Sequence, residues 1–193
     1  MTFDEATLRA IIDCQPRGDL GPFAAGDEAA AENYACQLRA AIAASNQFAV
    51  YQHADEYGSG YASFFDLFIS KQPLHTALAD GESRTIDGIA LYINRLAPIA
   101  VFGPEQVAVK QSRPGTIQGW RGHVPVAQLN QLPSGDWQEE LATINYWLQQ
   151  YGYRLLDQTS AQQPLPFNAA DVGYTWNLFG TGSVYDALFY WVD

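Results

Sequence analysis

His53, Asp55 and Glu56 stand as H-x-D-E at the end of an extended run, and His75 follows in the connection after the next one. Imidazole and carboxylate groups gathered this way are the donor set of a divalent-metal site, and with a bound water they would make a hydrolase. The spacing is not that of H-E-x-x-H or any other motif with a mechanical rationale, so a solvated strand end carrying ordinary histidines is the competing account. A second group is Lys110, Arg113, Arg121 and His123, where an acidic chain turns locally basic. It would hold a phosphate or carboxylate by charge-assisted hydrogen bonds, or it keeps a hairpin tip solvated and an edge strand unpaired.

Asp66 and Asp186 are lone carboxylates inside strongly apolar runs. A buried carboxylate has to be paired or protonated. The expected partners are Arg95 and Arg154, the basic residues beside the core strands, in a structural ion pair. The alternative is a carboxylate couple with raised pKa values acting as acid and base. Nucleophilic chemistry has less support. Gly58-Ser59-Gly60 and Gly180-Thr181-Gly182-Ser183 are neither nucleophile elbow, dinucleotide fingerprint nor P-loop, so both read as turns and no cofactor is expected. Cys14 and Cys36 lack CxxC spacing and the basic surroundings that activate a thiol; they read as reduced cysteines in helical segments.

The tract 167–179 combines Phe167, Tyr174, Trp176, Leu178 and Phe179 with Pro, Gly and Asn and no clear period. Long loops inside compact domains are usually functional or hide an element. Phe167, Tyr174, Trp176 and Phe179, with Trp120 from the hairpin, are therefore the candidate protein-binding surface, because Tyr and Trp recur at interface hot spots. The alternative is that these rings fold back and complete the core.

The elements that would position these residues follow from periodicity. Residues 85–102 hold a run apolar on both faces, with Ile89, Leu91 and Ile93 on one side and Ile86, Ala90 and Tyr92 on the other, and read as the central strand. Pro98 must break its ladder. Residues 183–192 read as a second strand of this kind, and 47–53, 61–70, 106–111, 116–121 and 153–157 as further strands. Helices are expected over 3–13, opened by a Thr2–Glu5 capping box, over 27–45, capped by Asp27, and over 136–151, ended by Gly152. Residues 15–26 read as a connecting loop.

The chain thus reads as a single α+β domain over 1–193, helical over 1–45 and sheet-forming over 46–193 with one long helix near 136–151. Its sheet is mainly antiparallel, of about six or seven strands, with about three packed helices. Of 193 residues 48% are hydrophobic, enough to bury a core, and the formal net charge is −11. That charge argues against holding nucleic acid or an anionic membrane. No run of about 18 apolar residues is present, and the N-terminal run lacks the pattern of a signal peptide. A cytoplasmic, non-catalytic, acidic protein-binding module is the leading expectation, of the immunity or inhibitor type, with a basic protein as partner. A hydrolase using the His and carboxylate residues and a structural or assembly subunit are the alternatives.

Overall fold

The computed structural model describes residues 1–45, 47–52, 61–71, 83–112, 116–120, 123–168 and 182–192. Two long strands dominate, β4 (Ser83–Asn94) and β5 (Ile99–Ser112), paired antiparallel from Ser83↔Lys110 to Ile93↔Ala100. The expected central run is the middle of a hairpin: residues 85–94 lie in β4, and the chain reverses at 95–98 before returning as β5. Pro98 sits in the reversal, where its missing N–H breaks no ladder bond. From Ile89 to Asn94 every residue of β4 is buried, as a strand covered on both faces must be.

The main sheet runs β1 (Ala49–Gln52), β3 (Phe64–Ser70), β4, β5 and β6 (Thr116–Trp120), all antiparallel, while β7 (Arg154–Leu155) joins β5 in parallel. A separate pair joins β2 (Tyr61–Ala62) to β8 (Trp191–Val192). The class is α+β, and the sheet is mixed: five antiparallel strands lie on its path, with β7 parallel to β5 off that path. The run 61–70 breaks at Ser63 into two strands serving different sheets.

Helices cover both faces. On one, α2 (Gly21–Ala25), α3 (Glu28–Ala43) and α4 (Gln138–Gln150) bring Phe23, Leu38, Ile42, Ile144 and Leu148 onto Leu67, Ile89, Leu91 and Phe102. On the other, α1 (Glu5–Ile12), α5 (Gln158–Ala161) and α6 (Val184–Leu188) bring Leu8, Ile11, Ala161, Tyr185 and Leu188 onto Phe64, Tyr92 and Val101. The three helices beyond those expected have only four or five residues, too short to display a helical period.

Local chemistry sets the ends. Asp27 caps α3 through the Ala30 N–H, and Gly152, at φ 66°, follows α4 with the Gly152 and Tyr153 N–H groups returning to Gln149 and Leu148. Asp4, not Thr2, caps α1, accepting from the Thr7 N–H at 2.7 Å. Residues 183–192 depart most from expectation. Ser183 and Asp186 form a capping box that opens α6, so this run is a helix followed by the short β8. Two buried polar residues fasten it. The Ser63 hydroxyl donates to the Leu188 carbonyl at 2.8 Å and accepts from the Tyr190 N–H at 2.9 Å. The Asn94 amide donates to the same Leu188 carbonyl, and its oxygen accepts from the Leu96 and Ala97 N–H groups at 2.8 Å each. Among the described residues no helix is long and apolar enough to cross a membrane.

Candidate functional site

The residues singled out above scatter. His53, Asp55, Glu56, His75, Tyr174, Trp176 and Phe179 lie outside the described residues, as do Arg113 and Arg121. Trp120 places its backbone opposite Ala108 at the end of β6. Phe167 is half-buried against the core, with the Arg9 guanidinium 4.2 Å above its ring, so the beginning of the aromatic tract folds back onto the body. Among the described residues no three His, Cys, Asp or Glu side chains gather as a metal set.

The two arginines choose partners other than the strand carboxylates. Arg95 pairs with Glu32 of α3, donates to the Ala62 carbonyl at 2.8 Å and lies between the rings of Tyr61 and Phe65. Arg154 meets Asp19 at 3.4 Å on the surface. Asp186, placed in a helix by the turn at Ser183, spends its carboxylate on the Ser183 N–H and hydroxyl, 2.8 Å each. Asp66 stands opposite Tyr92 in the β3–β4 register, on the face that carries α6.

That face holds the one histidine among the described residues, and it is the centre of the best-formed site. The His123 ring stacks on Tyr92, with centroids 5.2 Å apart and planes 13° from parallel. Tyr185, Trp191 and Phe64 close around it at 5.2, 5.4 and 6.0 Å. The residue after it is clamped by two phenols: the Val124 N–H donates to the Tyr92 oxygen at 3.1 Å, and the Tyr185 hydroxyl donates to the Val124 carbonyl at 3.0 Å. Glycine makes the approach possible. A side chain at Gly103 would run into Val124, which lies across β5 there.

Burial in this aromatic setting holds the His123 pKa down at about 4, against a smaller opposing pull from the Asp186 charge. At neutral pH the ring is uncharged. It therefore adds nothing to the basic group with Lys110, Arg113 and Arg121 in which the sequence placed it. Burial likewise pushes the Tyr92 and Tyr185 phenols well above their ordinary value, and the Asp66 and Glu105 carboxylates add to that shift.

His123 forms one wall of a cavity of about 400 Å³. Asp87, Glu105, Gln106, Gln128 and Ser134 supply its polar lining, and Pro104, Pro125 and Pro133 much of the rest. The Asp87 carboxylate accepts from the Gln106 amide across the β4–β5 ladder at 2.7 Å. Among the described residues no Lys or Arg lines the cavity, and none hydrogen-bonds a ring nitrogen of His123. The arrangement offers acceptors and the Asp87 carboxylate to a donor-rich guest. It is poorly suited to proton transfer, because a base is most effective when its pKa lies near the working pH. Sequence reasoning missed Glu105, Asp87 and Gln128 here; the pairing Asp87↔Gln106 that assembles the wall is long-range and follows from the hairpin register. Comparisons with family models, curated proteins and solved structures returned no match.

Proposed function

We propose that this chain is a non-catalytic, acidic protein-binding module that receives a basic side chain of its partner in the His123 cleft. The observation that carries the reading is the cleft's charge: the Asp87 carboxylate stands in its lining with an uncharged imidazole, and no cationic residue is among its described lining. A Lys or Arg entering it would gain charge-assisted hydrogen bonds, and the −11 charge of the chain would steer a basic protein towards it. Neutralising a basic enzyme, as an immunity or inhibitor protein does, is the specific form proposed. The cytoplasm is the proposed setting, in keeping with two free cysteines.

Co-expression with the products of neighbouring genes, followed by size-exclusion chromatography, tests this. The expected result is a stoichiometric complex with a basic protein whose association slows with added salt and slows at least tenfold in Asp87→Lys. Recovery of free monomer alone, or a complex indifferent to both salt and Asp87→Lys, would overturn the reading. The assembly-subunit alternative has one observation in its favour. Tyr146, 54% exposed on α4, stands with Trp147 over a shallow groove at Gln47 and Thr143. A concentration-independent oligomer of the isolated chain, lost in Tyr146→Ser, would favour it.

A further inference from the structure

A second cavity, sharing no lining residue with the cleft just described, opens by the 95–98 turn where β4 hands over to β5. It measures about 490 Å³. Phe3, Ile11, Pro98 and Ile99 give it an apolar floor, and Arg17 and Arg154 stand in its walls. Both arginines are anchored by their backbones to the same turn. The Arg17 N–H donates to the Leu96 carbonyl at 2.8 Å, and the Arg154 N–H to the Pro98 carbonyl at 3.0 Å. Gly18 lets the first strap lie this close, since a Cβ there would stand 2.7 Å from the Pro98 ring.

The charges of these two arginines are weakly committed. The Arg17 guanidinium donates to two uncharged acceptors, the Pro16 carbonyl at 2.9 Å and the Gln15 amide oxygen at 3.0 Å. Among the described residues no carboxylate reaches it within ion-pair distance. Arg154 has Asp19 at 3.4 Å, both side chains more than half exposed, a pair that solvent screens and an incoming anion can replace. In a chain with 10 cationic residues against 21 acidic ones, two arginines fixed at one cavity without a buried counter-charge call for a ligand.

We infer that this cavity binds a small monoanionic carboxylate with an apolar tail. The guanidinium groups match a carboxylate's two oxygens, and the floor would take the tail out of water. The cavity's volume lies within the range of small-molecule sites. Inorganic phosphate has no tail to place on that floor.

Titration of the labelled protein with octanoate, followed by amide and arginine side-chain NMR, tests the inference. Saturable shifts are expected at Gly18, Ala97 and Ile99 and at the Arg17 and Arg154 side chains. Octanamide, with the same tail and no charge, and inorganic phosphate should each bind at least tenfold more weakly. The double variant Arg17→Met, Arg154→Met keeps the aliphatic stems and should lose at least tenfold in octanoate affinity with its melting temperature little changed. No saturable shift at millimolar octanoate would overturn the inference. So would octanamide or phosphate binding as tightly as octanoate. The comparison of ligands uses the unaltered protein, so the outcome does not depend on the variant folding.

Discussion

Cys14 holds a left-handed backbone, φ 58°, at the position after α1 where a helix end usually takes glycine. The bonds that define such an ending are both made. The Gln15 N–H returns to the Ala10 carbonyl at 2.8 Å and the Cys14 N–H to Ile11 at 3.0 Å. A β-carbon in this conformation costs about 1 kcal/mol. The cost is met by the surroundings: the Tyr190 hydroxyl donates to the Ile11 and Ile12 carbonyls, and the Cys14 sulfur lies 3.6 Å from that hydroxyl. Cys14→Gly should therefore raise the free energy of unfolding in urea by up to about 1 kcal/mol. A fall would mean that the thiol's contact outweighs the strain. Read as sequence, Cys14 passes for a helical residue, because no local rule places a cysteine at a helix end.

At the scale of elements, α6 is where periodicity misleads. Residues 183–192 are apolar almost throughout, and a run that is buried on every side looks alike as strand or helix. The deciding signal is local and polar: Ser183 and Asp186 at capping-box spacing just before Ala187 and Leu188. Ser183→Ala should destabilise the protein by about 1 kcal/mol, read from thermal or urea unfolding; no change would mean that packing of Tyr185 and Leu188 alone holds the helix. Elements with a full amphipathic stripe were legible, as α3 with its Asp27 cap and α4 with Gly152 after it illustrate. The centrality of β4 was legible from its two apolar faces. The short helices α2 and α5 were not, since five residues or fewer carry no period. Nor was the His123 site, whose walls come from β4, β5 and the chain after β6 and meet only through the hairpin register.

Over the whole molecule, titration follows from where charge is buried and where it is capped. His123 stays neutral in the folded chain down to about pH 4, whereas in the unfolded chain it takes up a proton near its ordinary value of 6.5. The unfolded state thus binds more protons between these values, and stability falls as pH drops through that window. The loss should approach roughly 3 kcal/mol, at 1.36 kcal/mol for each pKa unit. A second loss comes lower. Asp157, held down to about 2 by its hydrogen bonds to Ser160, gives up its contribution only as pH falls from about 4 towards that value. His123→Gln should flatten the first window and leave the second. Binding of a basic side chain requires that imidazole to be an uncharged wall of the cleft instead of a proton carrier. The ring-proton NMR resonances of His123, followed from pH 8 to pH 3.5, test this directly. A single midpoint near 4 is the result predicted, and a midpoint at or above 6.5 would contradict it.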